Sequence, residues 1–171
     1  MTVNATIDAA PASMRLPGRP AVAESPAWGQ SFPVGKLGGV PSQVLAVLKS
    51  RRITLSSQLL AVAGKAVRRE AFAASSGIDP ELLLRLVQRA DRARLRGVGV
   101  VFGKMLDDLG VRDVPTLAAQ DPETLHVRLR AYNQEEQLAR RSPTPEEVAD
   151  WIEQARCLPT LVSYRAESDG C

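Results

Sequence analysis

Three segments of the chain carry a strong local signal for the start of an α-helix. Each has a capping residue, then proline, then glutamate; they are Asp79-Pro80-Glu81, Asp121-Pro122-Glu123 and Thr144-Pro145-Glu146. The capping side chain accepts a hydrogen bond from a first-turn N–H, and proline suits the first helical position because its missing N–H is not needed there. Glu147, three residues after Thr144, has the spacing of a capping box. No long run alternates apolar and polar residues, and aromatic residues make up only 4% of the chain. The sequence therefore predicts an all-α fold of about seven or eight short helices.

The chain after residue 37 contains a possible internal repeat. Aligning Gly39 with Gly97, at an offset of 58, brings a glycine turn and several apolar positions into register. A second alignment, Pro80 with Pro145, has an offset of 65. Each copy reads as a glycine turn, a helix of about ten residues, a turn and a second short helix. The pattern predicts two pseudo-repeats of one helical unit.

The repeat divides the chain into three parts. Residues 1–35 are rich in Ala, Pro and Ser without periodicity, which predicts a disordered N-terminal leader. Residues 36–162 form the predicted domain, and residues 163–171 are expected to be a frayed tail. No apolar run reaches the roughly 18 residues of a membrane span, and no secretory signal is present. The expectation is a cytoplasmic protein without metal or cofactor, because the chain has two cysteines and one histidine.

A glycine-rich stretch at residues 94–106, RLRGVGVVFGKML, admits several interpretations. It fails as a dinucleotide-binding turn because Gly103 falls one position late and a capped helix, not a strand, precedes it. It fails as a phosphate loop because Met105 stands where Ser or Thr must bind magnesium. It fails as a membrane helix-packing motif because charged residues follow at once. What remains is a hairpin between two helices.

This hairpin is a candidate anion site. The preceding helix is predicted to end at Gly97, and the next to begin near Gly99, so unpaired N–H groups and the positive end of a helix dipole meet there. Val98 lies between the two glycines, and Lys104 lies within the first turn and a half of the second helix. A plain αα-hairpin, whose glycines only permit close packing, is the alternative.

Four arginines precede the hairpin at helical spacing. Arg85, Arg89, Arg92 and Arg96 are 4, 3 and 4 positions apart, which places them along one face of a helix. Such a stripe suits nucleic-acid phosphates, because arginine forms a rigid fork of donors. Pairing with an acidic helix, whether internal or from another subunit, and simple solvation are the alternatives. The acidic candidates are Glu146, Glu147, Asp150 and Glu153.

The second half of the chain resembles a bacterial family of domains of unknown function made of tandem helix-hairpin-helix units. Three stretches carry the resemblance, DPETLHVRL at 121–129, ARR at 139–141 and VADWIEQA at 148–155. It covers residues 37 to 162 and is looser over the first unit. The resemblance implies sequence-nonspecific DNA binding, with the hairpin role falling on Gly97, Val98, Gly99 and Lys104. The first unit departs from the pattern, because Pro41 replaces the second glycine and removes an N–H donor.

No residues assemble into a catalytic set. The pairs Asp107-Asp108 and Glu135-Glu136 are adjacent on helices and point about 100° apart, so they are interpreted as solvated faces. His126 has no nucleophilic partner at a suitable spacing, and Cys157 is expected to be buried. A non-enzymatic protein is therefore expected.

The distribution of charge offers two functions. Residues 49–96 hold eleven Lys and Arg against four Asp and Glu, whereas residues 97–171 hold eight against thirteen. The leading hypothesis is a sequence-nonspecific DNA-backbone-binding module that uses the hairpin and the arginine stripe. The alternative is a protein–protein interaction or assembly module, including a homo-oligomer, whose basic and acidic halves pair. No small-molecule substrate is evident.

Overall fold

The computed structural model describes residues 30–165, and this part of the chain contains eight α-helices and no strand. The helices are α1 (Ser42–Ser50), α2 (Ser56–Ala63), α3 (Ala66–Ser76), α4 (Pro80–Arg92), α5 (Val100–Asp108), α6 (Val114–Ala118), α7 (Pro122–Glu136) and α8 (Pro145–Cys157). A short 3-10 helix, Val34–Lys36, precedes them. The predicted all-α class and the predicted number of helices are confirmed for these residues.

The three predicted helix starts are confirmed by their capping hydrogen bonds. Asp79, Asp121 and Thr144 cap α4, α7 and α8, and each side chain accepts a hydrogen bond from the N–H three residues further on. The capping box is also present, since Glu147 accepts a hydrogen bond of 2.8 Å from the Thr144 N–H. A fourth cap, Asp113 at α6, was not predicted, because its proline stands one position later than in the other three.

The helices surround two separate hydrophobic cores. The first lies among α1–α4 and includes Leu48, Leu59 and Leu86. The second lies among α5–α8 and includes Leu106 and Leu117, together with the indole of Trp151, which is 1% exposed. Within the described residues the two cores have no member in common. The molecule therefore consists of two helical halves, each with its own buried apolar side chains.

The first hydrophobic core includes a residue that precedes position 36. Val34 is fully buried in the first core, and its N–H donates to the Thr54 carbonyl at 2.8 Å. The Ser56 N–H donates to the Phe32 carbonyl at 2.7 Å, next to an isolated antiparallel bridge between Pro33 and Leu55. The predicted leader boundary at residue 35 is therefore too late. The remainder of the predicted leader, residues 1–29, lies outside the described residues.

After α8 the chain returns to the first half. Val162 is 3% exposed and belongs to the first core. Ser163 is held on both sides, since its Oγ accepts a hydrogen bond of 2.9 Å from the Ala66 N–H and its carbonyl accepts one of 2.7 Å from Arg69. The expectation of fraying from residue 163 is wrong for Ser163. Residues 166–171 lie outside the described residues.

Candidate nucleic-acid interface

The hairpin between α4 and α5 contains a glycine in the left-handed conformation. Gly97 has a φ of +87°, and a Cβ at this position would lie 3.0 Å from Trp151 Nε1. Gly99 is the N-cap of α5 and has extended backbone, with φ −75° and ψ 180°. The Trp151 ring packs against the ring of Phe102, with the two centroids 5.3 Å apart. Only Gly97 of the two thus requires glycine for its backbone conformation.

The N-terminus of α5 is open. No side chain caps it, and its first helical bond runs from the Gly103 N–H to the Gly99 carbonyl at 2.8 Å. The N–H groups of the first turn have no acceptor within the helix. The side chains there are exposed, at 54% for Val100 and 44% for Val101. Unpaired N–H groups facing solvent at a helix N-terminus are what an anion site requires.

Lys104 is exposed beside this helix end, but it already has a partner. Its Nζ lies 2.6 Å from Asp108 Oδ2, which also accepts a hydrogen bond of 2.8 Å from the Tyr132 hydroxyl. The hydrogen bond from Lys104 is the main cause of a lowered pKa at Asp108. The hydrogen bond to Asp108 is likewise the main cause of the raised pKa of Tyr132, about 12. A phosphate at Lys104 would therefore compete with a carboxylate.

The four arginines do not form one exposed stripe. The α-helix ends at Arg92, so Arg96 lies beyond it in the link to α5. Arg85 is exposed and pairs with Glu81 at 3.1 Å, one turn earlier on the same helix. Arg96 is exposed, and its backbone N–H donates to the Gln154 side chain at 2.9 Å. The other two arginines are directed inward.

Arg89 and Arg92 bind Asp107 of α5. Arg92 is 2% exposed, and its Nη2 lies 2.6 Å from Asp107 Oδ1 while its Nη1 donates to the Val111 carbonyl at 2.7 Å. Arg89 Nε lies 3.0 Å from Asp107 Oδ2, and its Nη1 donates to the Gly38 carbonyl at 2.7 Å. Burial lowers the pKa of Arg92, and the nearby Asp107 opposes that shift.

This pairing corrects the hypothesis that all four arginines form one face for nucleic-acid phosphates. The alternative of an internal acidic partner holds for two of the four arginines, but the partner is Asp107 and not the acidic residues at 146, 147, 150 and 153. Asp107 is also not the solvated residue that its sequence context indicated, since its side chain is 18% exposed. No local pattern marks it, because the arginines it binds lie 15 and 18 positions earlier in the chain.

A second glycine turn faces the hairpin. Gly38 and Gly39 have φ of +78° and +60°, and they precede Pro41, the N-cap of α1. A Cβ on Gly38 would lie 3.1 Å from a methyl carbon of Val100, so the two turns are neighbours. Pro41 is equivalent to Gly99 at the repeat offset of 58. The Gly99 N–H already donates to the Gly97 carbonyl at 3.1 Å, so the N–H that Pro41 lacks is of less consequence than the sequence indicated.

A groove of about 590 Å³ lies between the two turns. Its walls include Phe32, which lies within the predicted leader, and Lys36, the first residue of the predicted domain. Val98 and Val100 contribute from the hairpin, and Val98 is only 8% exposed because it also packs in the second core. Sequence analysis did not anticipate the groove, because it depends on how the two halves pack.

Other candidate chemistry is sparse. Within residues 30–165, no group of three or more His, Cys, Asp or Glu side chains is arranged to hold a metal ion. Cys157 is exposed at the end of α8, so the expectation that it is buried is wrong. In the same part of the chain no helix has both the length and the apolar character needed to cross a membrane.

The fold and the groove define an all-α module in which two glycine turns face each other. The chain belongs to the family of the domain of unknown function DUF4332, whose model matches residues 39–158. The resemblance to a domain of unknown function is therefore confirmed. The chain matches no curated protein and no solved structure.

Proposed function

We propose that this chain is a non-enzymatic, cytoplasmic module that binds the nucleic-acid backbone without sequence specificity and folds as two helix-hairpin-helix units. The helix bounds support the tandem architecture. α1 and α5 have equal lengths and begin 58 residues apart, at Ser42 and Val100. α4 and α8 also have equal lengths and begin 65 residues apart, at Pro80 and Pro145. These are the two offsets at which the sequence repeats.

The observation that carries the binding role is the open N-terminus of α5 beside the groove. Its first-turn N–H groups have no cap and no intrahelical acceptor, so they are available to a phosphate oxygen. Lys104 stands nearby as a cation that can exchange Asp108 for phosphate. In this proposal the hairpin residues Gly97, Val98 and Gly99 contribute backbone only, since Val98 directs its side chain into the second core.

The arginines divide into two roles in this proposal. Arg85 and Arg96 are exposed and supply long-range attraction for a polyanion. Arg89 and Arg92 position the two halves through Asp107, and Arg89 fixes the first turn through the Gly38 carbonyl. Removing Arg89 or Arg92 would therefore test folding more than phosphate contact.

Duplex binding measured against salt concentration tests the proposal. Fluorescence anisotropy with a generic duplex should give an affinity that falls steeply as salt rises. The double variant Arg85→Gln/Arg96→Gln should bind more weakly, and Lys104→Gln should reduce the slope of log affinity against log salt by about one. The control Arg130→Gln/Arg140→Gln changes net charge equally at two other exposed arginines. No binding at about 50 mM salt, or equal losses in both double variants, would contradict the proposed site.

A protein–protein interaction module is the second candidate. The exposed apolar side chains at the groove favour it: Phe32 is 38% exposed and Val100 54%. A homo-oligomer is one form of this alternative. Sedimentation across a hundredfold range of protein concentration tests the homo-oligomer. Self-association would raise the measured mass with concentration, whereas a monomeric nucleic-acid-binding module would keep a constant mass.

A further inference from the structure

Two glycines on the groove are not needed by the fold. Gly99 has φ −75°, and Gly103 lies inside α5; a Cβ at either position would have no neighbouring atom within 4 Å. At Gly103 glycine weakens the helix interior relative to alanine, and close packing does not compensate there. The two positions are one helical turn apart and therefore share a face. Both line the groove, and together they leave bare backbone facing it.

The groove also combines an apolar wall with cationic side chains. Phe32, Leu37 and Val100 form part of the wall. The charged residues that line it are Lys36, Arg89, Arg92, Lys104, Asp107 and Asp108, a formal balance of +2. Both carboxylates are paired with cations of this set.

One of these cations retains capacity for a ligand. Lys36 makes no ion pair within residues 30–165. The groove is therefore built for an anion that also carries an apolar group.

We infer that the groove binds an unpaired nucleotide, an inference that rests on the proposed nucleic-acid binding. The base would lie on Phe32 and Val100, and the phosphate would contact Lys36 and the first-turn N–H groups of α5. A volume of about 590 Å³ is within the range of small-ligand sites. Bare backbone at Gly99 and Gly103 lets the planar base approach α5 closely. A free nucleotide and an unpaired nucleotide of a strand share this chemistry.

Three oligonucleotides of equal length test the inference on the full chain: a single strand, the same strand with abasic sites throughout, and the corresponding duplex. Backbone contacts are the same for the normal and abasic strands, so a base in the groove should make the normal strand bind about tenfold more tightly. Equal affinities for these two strands would overturn the inference and leave backbone binding intact. No binding to any of the three at about 50 mM salt would overturn both proposals.

Adenosine monophosphate as a competitor separates the two sources of the ligand. Displacement of the single strand by this nucleotide supports a free nucleotide as occupant. Failure to displace it, with discrimination against the abasic strand retained, supports a nucleotide held within a strand.

A variant that blocks the groove provides an independent test. Gly103→Leu fills the bare face of α5 with a good helix former, so the melting temperature should be unchanged or higher. The same variant should abolish the roughly tenfold preference for the normal strand over the abasic strand. Ala131→Leu, at an exposed position of α7, is the matched control and should retain the preference.

If Gly103→Leu fails to fold, Phe32→Ala removes the aromatic surface instead. Phe32 is 38% exposed, so its loss is compatible with the fold. A folded variant of either kind that still distinguishes normal from abasic strands would overturn the inference.

Discussion

Arg92 of α4 lies 2.6 Å from Asp107 of α5, and this ion pair joins the two halves of the molecule. The Arg92 side chain is 3% exposed and that of Asp107 is 18% exposed. Arg89 binds the other oxygen of the same carboxylate at 3.0 Å. One aspartate thus holds two arginines from the preceding helix, at a boundary where the two apolar cores do not merge.

Replacing Arg92 with alanine should destabilise the protein strongly. The change leaves Asp107 with less compensation and removes the donor to the Val111 carbonyl. Breaking a buried pair by removing one partner costs about 3–5 kcal/mol, whereas an exposed arginine contributes about 0.5 kcal/mol or less. Urea unfolding should therefore separate Arg92→Ala from its control, Arg85→Ala. An Arg92→Ala protein with wild-type free energy of unfolding would show that the pair does not hold the halves together.

Replacing Gly97 with alanine should cost more than the same change at Gly99. Gly97 has φ +87°, and an added Cβ would meet Trp151 Nε1 at 3.0 Å. The left-handed conformation alone costs a non-glycine residue about 1–2 kcal/mol. Gly99 has ordinary φ and open space, so alanine there should cost only the roughly 0.5–1 kcal/mol lost when alanine replaces glycine as an N-cap. Thermal unfolding of both variants checks the difference, and equal melting temperatures would contradict it.

The stability of α8 should depend on pH through Glu147. Its hydrogen bond from Arg141, supported by the Thr144 N–H, lowers its pKa from 4.5 to about 2. The folded state therefore binds this proton more weakly than the unfolded state, so the stabilisation is complete above pH 4.5 and is lost as the pH falls towards 2. Glu147→Gln should show a smaller loss of melting temperature between pH 6 and pH 3 than the wild type.

The wild type must be compared with Glu147→Gln because another carboxyl changes the pH dependence of stability in the opposite direction. Burial raises the pKa of Asp91, although Arg94 partly offsets that effect. Protonation of Asp91 therefore favours the folded state as the pH falls. The difference between wild type and Glu147→Gln removes this contribution, and identical pH dependence in the two proteins would contradict the role of Glu147.

Replacing Val162 with alanine should weaken the first core although the residue follows the last helix of the second half. Val162 is 3% exposed among the side chains of the first core. Removing two buried methyl groups leaves a partial cavity and should cost about 1–2 kcal/mol. Thr160→Ala, at an exposed position two residues earlier, should cost less than about 0.5 kcal/mol. Denaturant midpoints that do not differ would show that the returning segment does not support the core.

The sequence predicted the features that depend on residues close together in the chain. Asp79, Asp121 and Thr144 start helices through hydrogen bonds that span three residues, so each start is visible in the chain itself. The class and number of helices follow from these signals and from the apolar periodicity. The proposed hairpin residues were found because the backbone at Gly97 requires glycine.

The predicted end of α4 is wrong because residues distant in the sequence determine where the helix ends. Residues 93–96, Ala-Arg-Leu-Arg, favour continuation of a helix, so the sequence placed the end at Gly97. In the structure the helix ends at Arg92, and Arg94 turns back to Asp91 and to the Pro159 carbonyl. The carbonyl belongs to a segment 65 positions later in the chain. The groove escaped prediction for the same reason, since its walls come from both halves.

The arrangement around Asp107 has a consequence for how related chains can change. Each apolar core can absorb a substitution by adjustment among its own members, because within residues 30–165 no buried apolar side chain belongs to both. Arg89, Arg92 and Asp107 lack that freedom, since loss of Asp107 leaves two arginines without their carboxylate and loss of either arginine removes one of the two partners of Asp107. Across the family these three positions should vary as a unit while the two cores diverge independently.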